Sequence, residues 1–261
     1  MPHPLIDAWR GFTPADAPFV LPADQPLLQA LEGRPGIVVH RSLAEYTASA
    51  GFGAADDRRL HLGLLPVPYV GVVETASIYL LMLNPGLSAA DYFAEWQEAS
   101  YGQALVENLA GQSPFLCLNP TFAWHPGFAY WHGKLGGVLR RLASATGIPY
   151  QTVLDAVAHK LCVLQLLPYH SPSFGVPRQL LERLPSCQLV RSFVSDVVVP
   201  RARDGSAVVV VTRQADLWNV PADCSPVVYS GPATRAAHLT PDSQGGQRML
   251  EILLREVDDA T

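Results

Sequence analysis

Continuous apolar runs along the chain predict the strands of a central sheet. Ser77–Leu83 reads Ser-Ile-Tyr-Leu-Leu-Met-Leu, Leu161–Leu167 reads Leu-Cys-Val-Leu-Gln-Leu-Leu, Ala207–Val211 is nearly all valine, and Pro226–Tyr229 is a shorter final run. Runs without alternation of apolar and polar residues are typical of strands buried on both faces. Shorter extended segments are predicted at Gly36–His40, Pro66–Val73 and Phe115–Leu118.

Helical patterns separate these runs. Within Lys134–Ala145, the apolar residues Leu135, Val138, Leu139 and Leu142 recur at the spacing of one helix face. Further helices are predicted at Ser42–Ala50, Ala89–Leu109, Gln151–His159, Pro177–Leu184, Cys187–Val199 and from Thr240-Pro241 to Val257. Strands that alternate with helices predict an α/β fold, a three-layer αβα sandwich around a mainly parallel four-stranded sheet.

The first 35 residues differ in composition from the rest of the chain. They are rich in Pro, Ala and Asp, so we interpret residues 1–35 as an irregular N-terminal arm with one short helix. About half of the 261 residues are apolar, which is enough for one sizeable core. Residues 36–261 are therefore predicted to form a single α/β domain.

Charge and cysteine usage narrow the function classes. The net charge of −5 argues against strong binding of phosphates by the whole surface, but it leaves room for a local basic cleft. None of the four cysteines forms a Cys-x-x-Cys pair, so we expect no disulfide, no metal site and no cofactor. The chain begins without a signal-peptide pattern and has no apolar run of membrane-spanning length. We expect a cytoplasmic monomer without a membrane partner.

Polar turns marked by proline follow the predicted strands. Asn84-Pro85-Gly86 follows Leu83, the segment 168–173 reads Pro-Tyr-His-Ser-Pro-Ser, and the segment 238–243 reads His-Leu-Thr-Pro-Asp-Ser. Ligands of parallel sheets bind beyond the carboxyl ends of the strands, so these turns are candidates for a site. Any one of them alone is ordinary turn punctuation, and only their order and spacing carry weight.

Two of these turns resemble motifs of the uracil-DNA glycosylase superfamily. A strand that ends in Asn-Pro-Gly is similar to the first motif of the mismatch-type and single-strand-selective enzymes, and 238–243 is similar to the second motif of the superfamily. The resemblance implies a uracil-DNA glycosylase-like fold and DNA, single- or double-stranded, as the partner. Met82 stands where the family usually has Gly, and Leu239 where it commonly has Pro, so the base is not assigned.

The resemblance implies catalytic roles for Asn84 and His238. Cleavage of an N-glycosidic bond passes through an oxocarbenium-like sugar while negative charge builds on the leaving base. Asn84 would hold the attacking water, and His238 would donate a hydrogen bond to the leaving base. Pro85 and Gly86 would line the same pocket around a base that has left the stack.

Further contacts to the substrate are implied in the same way. Thr240 and Ser243 would grip a phosphate next to the extruded nucleotide. Gln165 occupies the place of an amide that reads the base edge, although a Gln satisfied by the backbone is an equal alternative. Tyr92 or Phe93 would stack on the base, or both are core residues of the helix that follows the first turn.

Two features go beyond the common families. Phe122–His132 concentrates five aromatic residues and two histidines. This segment is either a loop covering the core, the wall of an enlarged pocket, or a stacking surface for single strands. His170 lies beyond the strand that carries Gln165 and is either a second site residue or a satisfied turn histidine.

Three functions remain open from the sequence. The first is a DNA glycosylase that removes uracil, a damaged base or a bulky modified base, in repair or in defence against foreign DNA. The second is a non-catalytic nucleic-acid- or nucleotide-binding protein of the same fold. The third is a hydrolase that uses Ser171 or Ser173 with a histidine, but the chain has no Gly-x-Ser-x-Gly elbow.

Overall fold

The computed structural model describes residues 2–12, 16–30, 36–54, 56–229 and 239–258. The chain divides into two compact units. Unit 1 comprises Met1–Tyr69, Leu83–Gly111 and Gln165–Phe193, and unit 2 comprises Val70–Met82, Gln112–Leu164 and Val194–Thr261. The organisation as one domain preceded by an arm stays a prediction.

Strands in the described residues form two sheets. They are β1 (Ile37–Val38), β2 (Leu60–His61), β3 (Tyr69–Gly71), β4 (Ile78–Met82), β5 (Leu161–Gln165), β6 (Val208–Val211) and β7 (Val227–Val228). The main sheet has five strands in the order β3-β5-β4-β6-β7, and β1 pairs with β2 in a small parallel sheet. In the main sheet, β6 pairs in parallel with both β4 and β7.

Hydrogen bonds at both ends of β5 show that it runs parallel to β4. Where the two strands begin, the N–H of Ile78 donates to the Lys160 carbonyl. Just beyond their ends, the N–H of Leu167 donates to the Leu83 carbonyl. Residues 78–81 of β4 are fully buried, as the unbroken apolar run predicts. The carboxyl ends of β4 and β5 therefore lie side by side.

The edge strand β3 runs in the opposite direction. The N–H of Val67 donates to the Pro168 carbonyl, whereas Gly71 lies beside Leu161 at the other end of β5. Gly71 has φ +108°, and a Cβ there would lie 2.1 Å from the Leu161 carbonyl oxygen. Only glycine therefore fits at this position without displacing the backbone of β5.

The α/β class and the mainly parallel sheet are confirmed, but the strand number is wrong. The sheet has five strands because Tyr69–Gly71 adds an antiparallel edge. The sequence predicts Pro66–Val73 only as an extended segment, because a strand of three residues carries too short a pattern to be assigned to a sheet. The three-layer glycosylase-like arrangement stays a prediction.

Twelve α-helices are present in the described residues. They are α1 (Pro4–Arg10), α2 (Gln25–Gln29), α3 (Leu43–Thr47), α4 (Ala89–Gln97), α5 (Ala99–Asn108), α6 (Pro126–Thr146), α7 (Tyr150–Ala158), α8 (Arg178–Arg183), α9 (Pro185–Phe193), α10 (Val199–Arg203), α11 (Ala215–Trp218) and α12 (Gln244–Asp258). A π-helical turn, Val194–Val198, joins α9 to α10, and 3₁₀ turns occur at Leu116–Leu118, Pro120–Phe122 and Ala222–Cys224.

The start of α6 corrects the prediction that this helix begins at Lys134. The ring Nδ1 of His125 accepts the N–H of Gly127 at 3.1 Å, and Pro126 occupies the first helical position. A capping side chain followed by proline is a standard helix start. Most of the aromatic segment therefore belongs to the helix instead of a loop. The strand predicted at Phe115–Leu118 is also wrong, since a 3₁₀ turn occupies it.

The N-terminal arm contains two short helices, whereas the sequence predicts one. The α1 helix buries Leu5, Ile6 and Trp9, each at most 1% exposed. Asp24 is fully buried, where its carboxylate accepts the N–H of Ser186 and the hydroxyl of Tyr169. The described part of the arm is thus anchored within unit 1 by apolar and polar contacts.

The last helix begins later than its sequence signal. Thr240-Pro241 predicts a cap and a first turn, but α12 begins at Gln244. The Oγ of Ser243 accepts the N–H of Gly246 at 3.1 Å, so Ser243 is the capping residue. A Cβ at Gly246 would lie 1.8 Å from the Thr240 carbonyl oxygen, so this turn requires glycine there. Within the described residues, no helix combines the length and apolar character needed to cross a membrane.

Candidate functional site

The Asn84 turn (Asn84-Pro85-Gly86) follows β4 directly, and a capping interaction ends it. The N–H and the hydroxyl of Ser88 both donate to one carboxylate oxygen of Asp91, at 2.6 and 2.9 Å. This pairing starts α4 immediately after the turn. The turn is therefore held between a buried strand and a capped helix.

The side-chain amide of Asn84 is oriented by the segment that follows β5. Its Nδ2 donates to the Ser171 Oγ at 2.9 Å, to the Pro85 carbonyl at 2.9 Å and to the Tyr169 carbonyl at 3.3 Å. Carbonyl oxygens only accept hydrogen bonds, so the NH₂ group must face them. The Oδ1 therefore points away and accepts no hydrogen bond from the residues that the structure describes.

His170 holds the same turn from its other end. Its Nδ1 lies 2.8 Å from the Gly86 carbonyl, and its Nε2 lies 3.2 Å from the Leu65 carbonyl. The side chain is 5% exposed. Both ring nitrogens face backbone acceptors, so His170 positions the turn and is not presented to a substrate. Of the two alternatives for His170, the structure favours the satisfied turn histidine.

Glu95 extends this network through the backbone of Leu65. The Glu95 carboxyl accepts the N–H of Leu65 at 2.7 Å, while the carbonyl of the same residue faces His170. Part of the Glu95 side chain remains exposed, but burial of its carboxyl group raises its pKa well above the usual value. Glu95 and His170 thus hold both backbone polar groups of Leu65.

A second buried polar group within unit 1 centres on His61. Its Nδ1 lies 3.0 Å from the Tyr92 hydroxyl, and its Nε2 lies 3.6 Å from an oxygen of Asp57. Burial lowers the pKa of His61 to about 4. Arg59 forms a two-pronged pair with Asp57 at 2.9 and 2.8 Å, and these hydrogen bonds lower the pKa of Asp57 to about 2.

Tyr92 belongs to this buried group, which corrects its assignment to the substrate pocket. Its side chain is 0% exposed, and its ring stacks on that of Tyr46 with centroids 4.7 Å apart. No ring face is left for a base, so the core alternative holds for Tyr92. Phe93 is half-buried, and its role in stacking stays a prediction. In the turn itself, Pro85 is buried and Gly86 is exposed.

Gln165, the last residue of β5, carries an unsatisfied acceptor. The side chain is 7% exposed, and its Oε1 is buried without a hydrogen-bond partner in the described residues. A buried amide oxygen without a partner costs free energy, so it calls for an explanation such as a ligand or water. Since Leu167 pairs with Leu83, Gln165 lies on the strand next to the one that ends at Asn84.

Only residues 239–243 of the second motif belong to the described part of the chain. His238 lies outside the described residues. Thr240 is exposed, and its carbonyl accepts the Ser243 hydroxyl at 2.7 Å. The Ser243 hydroxyl donates to the Thr240 carbonyl and accepts the N–H of Gly246, so Ser243 caps α12. The binding of a phosphate by Thr240 and Ser243 stays a prediction.

The geometry does not favour the hydrolase alternative at Ser171, and the alternative at Ser173 stays a prediction. A serine nucleophile needs a histidine within hydrogen-bond reach. Ser171 is 2% exposed and accepts from Asn84, while both nitrogens of the adjacent His170 face carbonyl oxygens. Among the described residues, no group of three or more His, Cys, Asp or Glu side chains is arranged to hold a metal ion.

Three residues of this region are missed by sequence reasoning. Asp57, His61 and Glu95 come together only in the folded chain, and none lies in a recognisable motif. His61 and Glu95 had one available signal, since each is an ionisable residue within a largely apolar stretch or helix face.

Comparison with known proteins adds no family to this picture. No family model, no curated protein and no solved structure matches the chain.

Proposed function

We propose that the chain is a DNA glycosylase in which Asn84 holds the water that attacks the sugar. The observation that carries the proposal is the orientation of the Asn84 amide. Its NH₂ group is anchored by Ser171 and two backbone carbonyls, so its oxygen is directed outward as a hydrogen-bond acceptor. A fixed acceptor at the carboxyl end of a central strand is suited to orient a water molecule.

The chemistry expected of such a site follows from the amide. Water forms a bond to the sugar C1′ while the N-glycosidic bond breaks and its electron pair leaves with the base, and the proton that the water gives up passes to the departing base or to solvent. A neutral amide orients the water without removing its proton, so most of the rate would depend on stabilising the leaving base. By resemblance, His238 would donate the hydrogen bond that does so.

Two further observations support a base-binding pocket beside this turn. The buried, unsatisfied Oε1 of Gln165 would accept a hydrogen bond from an N–H on the edge of the base. The parallel strands β4 and β5 end side by side, which is where ligands of such sheets bind. In a glycosylase-like α/β fold that binds DNA, Asn84 would orient the water and Gln165 would contact the base.

An excision assay tests the proposal. DNA oligonucleotides carrying uracil, a damaged base or a bulky modified base, each as single strand and as duplex, are incubated with the protein and then cleaved with alkali at abasic sites. We expect cleavage of at least one substrate, and Asn84→Ala should lower the rate about 100-fold, since a misplaced water costs about that much. Ser171→Ala should lower the rate less, because two carbonyl anchors remain.

Asn119→Ala is the matched control. Asn119 is the other asparagine followed by proline, its exposed side chain caps a 3₁₀ turn, and it lies in unit 2. Its replacement should leave the rate unchanged. Release of no base from any substrate, or an undiminished rate in Asn84→Ala, would refute the proposal.

The second candidate is a non-catalytic nucleic-acid- or nucleotide-binding protein. The observation in its favour is that Asn84 cannot act as a base, on a chain whose net charge is −5. The same assay separates the two candidates. Binding of oligonucleotides without release of any base would support the second.

A further inference from the structure

The first half of α6 carries aromatic surface that is open to solvent. Trp124, just before the helix, is 46% exposed, and Tyr130 is 49% exposed. Single exposed aromatic residues are common on protein surfaces, so exposure alone carries no conclusion. The charge beside Tyr130 is what distinguishes the segment.

One cation lies over the ring of Tyr130, and the charge of a second acts on its hydroxyl. The Nζ of Lys134 sits over its ring, 5.0 Å from the centroid. The pKa of Lys134 is lowered, first by burial and then by the positive charge of Arg213. The positive charge of Arg213 also acts on the Tyr130 hydroxyl, and all three residues belong to unit 2.

Helical spacing extends this arrangement along α6. Tyr130, Lys134, Gly137 and Arg141 follow one another at intervals of four, three and four residues, so they lie within about 60° of one another around the helix axis. Lys134 and Arg141 are therefore about 10.5 Å apart along the axis. We call Tyr130, Lys134 and Arg141 the basic–aromatic strip.

The far end of the strip opens into a groove between α6 and α12. The groove has a volume of about 760 Å³ and includes Gly137, Arg140 and Arg141 from α6. Neither arginine forms an ion pair with any residue that the structure describes. The acidic residues of the opposite wall are Asp242 and Glu251, and Glu251 is paired with Arg248 at 2.9 Å. Positive charge therefore dominates the α6 side of the groove.

We propose that the basic–aromatic strip binds single-stranded DNA. Exposed rings stack on bases, whose faces are free only when the strands are apart, and the lysine and the arginine contact the phosphates. An acidic protein with few cations at this surface is poorly suited to a duplex, which is bound mainly through its phosphates. The choice of DNA over RNA rests on the proposed function, whereas the preference for single strands rests on the strip alone.

Fluorescence anisotropy with the full chain tests this inference. The probes are a labelled 15-nucleotide oligothymidine, the matching oligouridine, a duplex of the same length and a poly-glutamate peptide. We expect the oligothymidine to bind most tightly. Tyr130→Ala should weaken binding about tenfold through the loss of one stacked base. Lys134→Gln should weaken it and reduce its salt dependence.

Matched controls exist for both variants. Phe52 is an aromatic residue of similar exposure, 48%, in unit 1, and Lys160, the only other lysine, is paired with Glu256. Phe52→Ala and Lys160→Gln should bind like the wild type, and circular dichroism of all four variants verifies folding. Equal binding of duplex, oligouridine or poly-glutamate, or unchanged binding in both strip variants, would overturn the inference.

The outcome is separable from that of the proposed function. Base excision with unaffected strip variants would leave the glycosylase proposal standing and remove this one. Binding that depends on Tyr130 and Lys134, without excision of any base, would support the strip as a binding surface and refute the glycosylase proposal.

Discussion

The interiors of the two units are built on different principles. Among the described residues, eleven polar side chains are buried, and eight of them lie in unit 1, including those of Asp24, His61, His170 and Ser171. The strands of unit 2, by contrast, bury valine and leucine almost without interruption. Unit 1 therefore depends on directional hydrogen bonds, and unit 2 on apolar packing that has little directional preference.

This difference has a consequence for function. Burying a polar group is costly unless its partners are in place, so a buried network such as that around the Asn84 turn holds its members in one geometry. That is useful for orienting a reactant. A valine-rich sheet is a stable scaffold without such directional groups, and the proposed DNA-binding strip of unit 2 lies on the surface of α6.

The largest expected effect on stability is at a buried residue of the apolar sheet in unit 2. Leu80→Ala in β4, whose side chain is fully buried, should lower the free energy of unfolding by about 4 kcal/mol. Denaturant titration measures this loss. Val228→Ala on β7, where Val228 is 42% exposed, is the control and should cost under about 1 kcal/mol. Equal losses would mean that burial in the sheet does not determine the stability of unit 2.

Variants of Asp24 test how much buried hydrogen bonds contribute to the stability of unit 1. Asp24→Ala leaves the N–H of Ser186 and the hydroxyl of Tyr169 without their acceptor, which should cost about 3 kcal/mol. Asp24→Asn keeps an acceptor for Ser186, and the Tyr169 hydroxyl can accept from its amide, so most of the stability should return. Thermal and denaturant unfolding of both variants provide the measurement. An alanine variant as stable as the asparagine variant would show that these hydrogen bonds contribute little.

The pH dependence of stability sharpens the contrast further. Burial lowers the pKa of His61 to about 4, so the folded state takes up its proton less readily than the unfolded chain. Stability present above pH 6.5 is lost as the pH falls towards 4, by up to about 3 kcal/mol. His61→Gln should remove this loss, as seen in unfolding free energies measured between pH 7 and 4.5.

The comparison of wild type and variant isolates His61. The raised pKa of Glu95 acts in the opposite direction, since it favours the folded state at lower pH, but it does so in both proteins. Asp57, with a pKa of about 2, contributes only below its ordinary value of 3.8. The exposed His159 lies outside this buried group, so His159→Gln serves as the control variant. Parallel curves for wild type and His61→Gln would contradict the prediction.

The smallest expected effect concerns the start of α12 in unit 2. Ser243→Ala removes the side chain that accepts the N–H of Gly246 and should cost about 1 kcal/mol. Thr240→Ala should cost little, because the Thr240 side chain is exposed and its carbonyl is retained. The reverse order of the two losses would restore Thr240 as the cap.

The helix starts show why local signals are only partly sufficient. Ser42 is predicted as a cap and accepts the N–H of Glu45 at 3.1 Å. Thr240-Pro241 is an equally good signal, but the helix starts three residues later, where Gly246 allows the Thr240 carbonyl to approach. The start of α6 at Pro126 is marked in the sequence by a histidine cap followed by proline. The aromatic composition of the same segment favours a loop instead and hides this helix start.

By itself, the sequence determined the α/β class, the buried runs of β4, β5 and β6, and the position of Asn84 directly after a central strand. These follow from periodicity and from turn residues, which act within a few positions along the chain. Only the tertiary structure decided the antiparallel edge strand, the burial of Tyr92, the positioning role of His170 and the orientation of the Asn84 amide. Each of these depends on groups far apart in sequence, such as Asn84 and Ser171, whose contacts exist only after the chain has folded.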